Sequence, residues 1–249
     1  MLNDTFCPVV DSGWVPSATW RNVDSLKQRE QMRKSAPFLD EIPVMSSTVL
    51  GLDILLNEPY LDLQMASEII LSDVGATIHV LRLVSREYRI AAERPSRMGD
   101  CIASLDVSAW FAAISARTFV GDQEHSATTA LWKHSRLIAQ YAQLVAESLD
   151  DISPEDAYMV GLLHGIEAIP AALGGSQDDP ASQHEDVLSA VEGALPPFVL
   201  EAIRSMNDSS RSSVWRCVLT AAHELAGTRT DFDASALHSL NPVVIASHP

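Results

Sequence analysis

The chain has 249 residues, and its 17 Lys and Arg against 33 Asp and Glu give a net charge of −16. This charge argues against a nucleic-acid-binding protein, because that affinity comes mainly from cationic side chains that displace counterions from phosphates. Hydrophobic residues make up 47% of the sequence, which excludes an intrinsically disordered chain and predicts a packed core.

Residues 1–35 are predicted to form an extension that precedes the folded domain. They contain Trp14 and Trp20 without a sustained helical period, so both tryptophans are expected to dock on the domain or on a partner. Basic residues outnumber acidic ones from Arg21 to Lys34. This stretch is interpreted as a solvated helix or tail in preference to a phosphate- or lipid-binding arm.

Apolar residues that recur at steps of three and four predict helices from residue 43 onward. The first helix has Ser46 and Ser47 available as caps, the second begins near Asp62, and the third follows Asp73. Two further helices are predicted over 98–105 and 107–119.

The second half of the chain, after a predicted subdomain boundary near Gly121, is also expected to be helical. A long helix carries Leu131 to Val145, and the next one opens with Ser153 as a cap and Pro154 at its first position. A glycine-rich acidic loop is predicted over 174–180. The last helices are predicted over 182–194, 196–206 and 211–227. No period-two alternation argues for a sheet, so the predicted fold class is all-α.

Three histidines, His134, His164 and His223, lie on apolar helical faces. Imidazoles that project inward from neighbouring helices are a common way for a helical bundle to build a metal site. No H-x-x-x-H spacing ties two of them together, so ordinary core histidines are the favoured interpretation, and a three-histidine zinc or other transition-metal site is the alternative. Neither a phosphate-binding G-x-x-x-x-G-K-[ST] loop nor a G-x-S-x-G elbow occurs.

Several motifs follow one another in a recognisable order. They are MASEIILSD at 65–73, CIASLD at 101–106, LWKHS at 131–135 and AYMVGLLH at 157–164. This order resembles the HDOD family, a relative of the HD phosphohydrolases, over residues 36–230. The resemblance implies an N-terminal helical part over 36–121, an HD-like helical part over 122–230 and a tail over 231–249. It also implies a regulatory role in bacterial signalling, often near cyclic-dinucleotide pathways.

The chain departs from the parent hydrolase pattern at the metal-binding residues. In HD phosphohydrolases a His-Asp pair, a preceding histidine and a later aspartate hold the metal. Here Gly165 follows His164, and His223 stands at the position of the later aspartate. The resemblance therefore implies no catalytic residue and no cofactor, and it leaves His134, His164 and His223 as remnants of the site.

Two further pairs bear on the same comparison. His184 and Glu185 fall in the expected order, and their ordinary interpretation is an exposed helix start. Met206 and Asn207 stand where many HDOD relatives carry histidines, which is expected to leave little polar chemistry there.

Three functions remain open on this basis. The first is a non-catalytic module that binds a signalling protein, with no nucleic-acid or membrane partner; a homo-oligomer is compatible with it. The second is a divergent phosphohydrolase in which His134, His164 and His223 hold a metal and Glu167 or Glu224 acts as a base. The third is a nucleotide sensor that uses the remnant cavity.

The expected compartment is the cytoplasm. The three cysteines are far apart and form no C-x-x-C pair, which fits a reducing environment. No signal peptide or membrane-spanning apolar run is visible in the sequence.

Overall fold

A computed structural model of the chain is built from α-helices, with one short pair of strands in the part that it describes. The described residues are 39, 41–117, 119–120, 127–173, 187–207 and 213–227. The predicted all-α class is confirmed. The N-terminal extension, the boundary near Gly121, the pair His184 and Glu185, and the C-terminal tail lie outside the described residues. None of the described helices has the length and apolar character that a bilayer-spanning segment needs.

The helices fall into two consecutive groups along the chain. The first group is α1 (Ser46–Leu56), α2 (Leu63–Leu71), α3 (Val74–Glu87), α4 (Met98–Ala103) and α5 (Val107–Ser115). The second group is α6 (Ala127–Ala146), α7 (Pro154–Leu163), α8 (Ile169–Ala172), α9 (Pro197–Asn207) and α10 (Val214–Leu225). Residues 187–191 are also helical, and short 3₁₀ turns form at Ala91–Glu93 and Ile166–Ala168.

Most of the predicted helix starts are confirmed. Asp62 caps α2 and Asp73 caps α3, each with its carboxylate accepting hydrogen bonds from two backbone N–H groups of the first turn. Ser153 caps α7, and Pro154 occupies the first helical position. These residues fix where the helices begin because they satisfy N–H groups that have no partner within the helix.

The predicted capping of α1 by serine is wrong. The residue at the cap position is Met45, which has an extended backbone and makes no side-chain cap bond, while Ser46 and Ser47 are the first two residues of the helix. A residue far along the sequence positions Met45, because its backbone N–H donates to the Asp73 carboxylate at 2.7 Å.

A pair of two-residue strands interrupts the helical pattern. Strand β1 (Val44–Met45) runs parallel to β2 (Phe119–Val120), with Val44 opposite Phe119. The predicted helix to residue 119 is therefore wrong, since α5 ends at Ser115 and the chain is extended at Phe119. Phe119 is apolar, and this pattern is compatible both with a longer α5 and with a strand that pairs with a distant segment.

Helix α6 is the central element of the second group. It packs along α7 and against α10, and its buried face includes Leu131, Trp132, Ser135 and Ile138. The Trp132 indole N–H donates to the Asp73 carboxylate at 2.9 Å, which ties α6 to the start of α3. These contacts determine where the polar residues of α6 and α7 lie.

Candidate functional site

The histidines at 134, 164 and 223, here called the histidine cluster, converge in space. His134 lies on α6, His164 caps the C-terminus of α7, and His223 lies on α10. Their ring centroids are 5.2, 5.2 and 5.0 Å apart, and one nitrogen from each ring lies within 4.8 Å of the others. His223 is buried, and the other two are partly buried. Three residues that are distant in sequence therefore form one polar group in the helical core.

The hydrogen bond of His164 fixes its tautomer. Its Nδ1 lies 2.6 Å from the Gly161 carbonyl oxygen, and because a carbonyl only accepts, Nδ1 carries the hydrogen and donates. In a neutral ring, Nε2 then carries a lone pair and no hydrogen, so it can only accept. That Nε2 lies 3.3 Å from Nε2 of His134. The lone pair of His164 is thus directed into the cluster.

Burial and mutual repulsion keep two of the rings neutral. Burial, followed by the proximity of His164 and His223, lowers the pKa of His134 to about 2. Burial and the nearby His223 lower the pKa of His164 to about 3, against the opposing effect of the Gly161 hydrogen bond. Both imidazoles are therefore uncharged near neutral pH, which is the form that binds metal ions.

Gly161 allows α7 to approach α6 closely enough to form the cluster. A Cβ atom at this position would lie 2.6 Å from the Cα of Ala139 and 2.9 Å from both the Ala139 nitrogen and the Ile138 carbonyl oxygen. The two helix backbones are thus in direct contact one turn before His164. Any larger residue at 161 would have to move α7 away from α6.

Gly165 offers no ligand atom at the position of the HD aspartate. A Cβ atom there would lie 3.3 Å from Cδ1 of Leu131 and 3.8 Å from Oγ of Ser135. Among the residues that the structure describes, no Asp, Glu or Cys belongs to the group of side chains that could hold a metal with the histidine cluster. The cluster is therefore a set of imidazoles without a carboxylate.

Glu167 and Glu224 were the two candidate bases. Neither is among the side chains that could hold a metal with the histidine cluster. Glu224 is exposed on α10. Glu167, in the 3₁₀ turn after His164, accepts from the Asn207 side-chain amide at 3.2 and 3.1 Å. Burial raises the pKa of Glu167 to about 7, and the Asn207 hydrogen bond opposes this rise. The expectation of little polar chemistry at Asn207 is therefore wrong.

Glu167 is expected to make the stability of the protein depend on pH. Because its folded-state pKa of about 7 lies above the ordinary 4.5, the contribution of Glu167 to stability is greatest at low pH and is lost as pH rises from 4.5 through 7. Across this window the wild type should lose about 1 kcal/mol more than Glu167→Gln, an amount reduced by solvent screening of a half-buried group. Urea unfolding at several pH values measures this difference, and parallel pH profiles for the two proteins would contradict it.

The sequence pattern at Asp73 predicts only a helix start and does not indicate the wider role of this residue. Its fully buried carboxylate accepts from the backbone N–H groups of Met45, Gly75 and Ala76 and from the indole of Trp132. Residues 74–82 of α3 are all buried although three of them are polar, so the sequence of this helix does not predict that its cap is buried. The partners of Asp73, 28 and 59 residues away, have no local signature.

Comparison with known proteins gives a family and a fold. The HDOD domain model matches residues 42–174, which include His134 and His164, and no curated protein matches. The crystal structure of the MmoQ response regulator (fragment 20–298) from Methylococcus capsulatus superposes with a TM-score of 0.58 at 16% identity, covering 84% of this chain and 93% of that one.

A second solved structure is an HDOD domain protein of unknown function from Geobacter sulfurreducens. It is 17% identical, covers 89% of this chain and 88% of its own, and has a TM-score of 0.34. The superposition on MmoQ shows a shared fold, and the family match spans more than half of the 249 residues. The chain therefore belongs to the HDOD domain family.

Proposed function

We propose that this HDOD domain is a non-hydrolytic regulatory module of bacterial signalling that acts by binding another signalling protein. The observation that carries the proposal is the make-up of the histidine cluster. The HD phosphohydrolase pattern has two aspartates among its metal ligands, and this chain has Gly165 and His223 at those positions. Loss of anionic ligands weakens the charge balance and geometry on which metal-assisted hydrolysis depends. The response-regulator name of MmoQ agrees with a signalling role by analogy of fold.

An exposed apolar pair on α1 supports a protein partner. Leu50 and Ile54 are one turn apart and are 60% and 58% exposed, whereas Leu52 and Leu55 on the opposite face are buried. Apolar side chains at the centre of an interface contribute to binding when a partner removes them from water. We define Leu50 and Ile54 as the outer face of α1.

Changing the outer face of α1 is expected to weaken binding of the partner. The full chain, immobilised, would be used to recover a signalling protein from a bacterial lysate, and that protein would then be purified and its binding measured directly. Leu50→Ser with Ile54→Ser should weaken this binding at least tenfold, about 1.4 kcal/mol. Leu144→Ser is the matched control, since Leu144 is 53% exposed on α6.

Two results would contradict this proposal. One is equal loss of binding in the control and in the double variant. The other is nucleotide turnover by the purified chain in the absence of any partner.

A metal-dependent phosphohydrolase is the second candidate, and the convergence of the three histidines favours it. Three protein ligands with an open fourth position are typical of catalytic zinc sites. Nucleotides and cyclic dinucleotides would be incubated with the chain after loading with zinc or manganese. Turnover that disappears in His164→Ala would establish this function, and a lack of turnover would exclude it.

A thermal shift with the same compounds tests the nucleotide-sensor alternative.

A further inference from the structure

We propose that the histidine cluster binds one divalent transition-metal ion through three imidazole nitrogens, and that this ion fastens α10 to α6 and α7. The proposal goes beyond the regulatory role above, because a structural ion requires no hydrolysis. Its ligands are His134, His164 and His223, one from each of three segments that are far apart in the sequence.

The spacing of the rings fits a single ion. Zinc binds imidazole nitrogen at about 2.0–2.1 Å in tetrahedral geometry, which places two ligand nitrogens about 3.3–3.4 Å apart. The Nε2 atoms of His134 and His164 are 3.3 Å apart. The three centroid distances of 5.0–5.2 Å form a nearly equilateral triangle, so His223 takes the third corner at a similar distance from both.

The orientation of His164 is already that of a metal ligand. Metal-bound histidines usually donate their second ring N–H to a carbonyl or carboxylate, which fixes the tautomer and aims the other nitrogen at the metal. The bond from Nδ1 of His164 to the Gly161 carbonyl provides this arrangement.

The ligand set selects the class of metal. Imidazole suits zinc, copper, iron and nickel, whereas magnesium and calcium require mainly oxygen ligands. Within the described residues the cluster contains only imidazoles. Zinc is therefore the appropriate probe, and magnesium is the negative control.

The consequence for the fold is a link between distant segments. His223 lies near the C-terminal end of α10, and His134 lies in the first half of α6. An ion that binds the native arrangement and not the unfolded chain stabilises the native state. Removal of the ion is therefore expected to loosen α10 in preference to α6 and α7, which also contact each other backbone to backbone at Gly161.

The experiment uses the full chain after treatment with a chelator. Zinc is added back, the bound metal is measured by elemental analysis, and thermal unfolding is followed with zinc, with magnesium and without metal. One zinc per chain and a higher unfolding temperature with zinc alone are expected. Cobalt should give the visible absorption of a tetrahedral centre. Loss of a residue that only hydrogen-bonds to a metal ligand typically weakens metal binding roughly 10–100-fold. Each of His134→Ala, His164→Ala and His223→Ala removes a ligand itself and should weaken zinc binding by more than this.

A buried histidine outside the cluster provides the matched control. His79 donates from Nε2 to the Ile42 carbonyl at 2.8 Å, and His79→Gln keeps a donor at that place. This variant should bind zinc as the wild type does. If the alanine variants do not fold, nitrogen NMR of the wild-type imidazoles gives a separate readout, because zinc should shift the resonances of all three rings.

Two results would overturn the proposal. One is the absence of stoichiometric zinc together with unchanged imidazole resonances, which would mean that the cluster is only a hydrogen-bonded core. The other is the same zinc-dependent rise in unfolding temperature in wild type and His223→Ala. Nucleotide turnover by the zinc-loaded chain would overturn the non-hydrolytic function and leave the metal site supported, so the two proposals fail separately.

Discussion

Replacing Asp73 with alanine is expected to lower the free energy of unfolding by about 4 kcal/mol, because several buried N–H donors lose their acceptor at about 1–3 kcal/mol each. The donors include the indole of Trp132 and the backbone N–H groups of Met45, Gly75 and Ala76. Burial raises the pKa of this carboxyl group, and hydrogen bonds from Met45 and Trp132 oppose the rise. Urea unfolding followed by circular dichroism measures the loss.

Asp62 supplies a matched control for the capping part of this effect. Its carboxylate accepts from two N–H groups at the start of α2, at 2.9 and 3.1 Å, as Asp73 does for α3, but it is exposed. Asp62→Ala should cost only about 1 kcal/mol, the usual value of a helix N-cap. Equal losses in Asp62→Ala and Asp73→Ala would contradict the importance of the buried network.

Two further variants separate the contributions within the network. Asp73→Asn keeps an oxygen that can replace Oδ1, which accepts from Gly75, Ala76 and Trp132, and it loses the Oδ2 contact with Met45. It should therefore be milder than Asp73→Ala. Trp132→Phe removes the indole N–H, so a double-mutant cycle with Asp73→Ala should show a coupling of about 1 kcal/mol or more. Additive losses would mean that the bond contributes little.

Local patterns predicted the helices well and their distant partners poorly. The starts of α2, α3 and α7 followed from Asp62, Asp73 and Ser153, because a cap acts on the N–H groups two or three residues ahead. The first helix was assigned the wrong cap because Met45 is positioned by Asp73, 28 residues away. The Val44 and Phe119 pairing was missed for the same reason.

The members of the histidine cluster could be named from the sequence, but their convergence could not. The motifs around His134 and His164 and the apolar face of α10 gave the three positions, whereas whether the rings meet depends on helix rotation and separation. That separation is set at Gly161, where two backbones touch. A glycine inside a helical pattern signals a packing or functional role without indicating what lies against it.

The neighbourhood of the cluster shows the same limit. Glu167 was one of two candidate bases, and its pairing with Asn207, 40 residues later, could not be predicted from the sequence. The pair depends on how α9 packs against α7, which is a tertiary contact. The sequence thus indicates which polar residues matter and does not indicate their partners.

Replacing Gly161 with alanine is expected to lower the free energy of unfolding by about 2–3 kcal/mol, since overpacking against an immovable neighbour costs about 1–3 kcal/mol or more. The new Cβ would lie 2.6 Å from Cα of Ala139, which is backbone and cannot rotate away. The loss would appear despite the gain of about 1 kcal/mol that alanine brings within a helix. Movement of α7 should also separate His164 from His134, and NMR of the imidazole nitrogens would detect this change.

Gly99 is the matched control for this substitution. It also lies within a helix, α4, but a Cβ at that position meets nothing within 4 Å. Gly99→Ala should therefore leave stability unchanged or raise it by up to about 1 kcal/mol, and it should not alter the imidazole signals. If Gly161→Ala were as stable as Gly99→Ala, the helices would be free to separate at no cost. The close approach of α6 and α7 would then not be what holds the histidine cluster together.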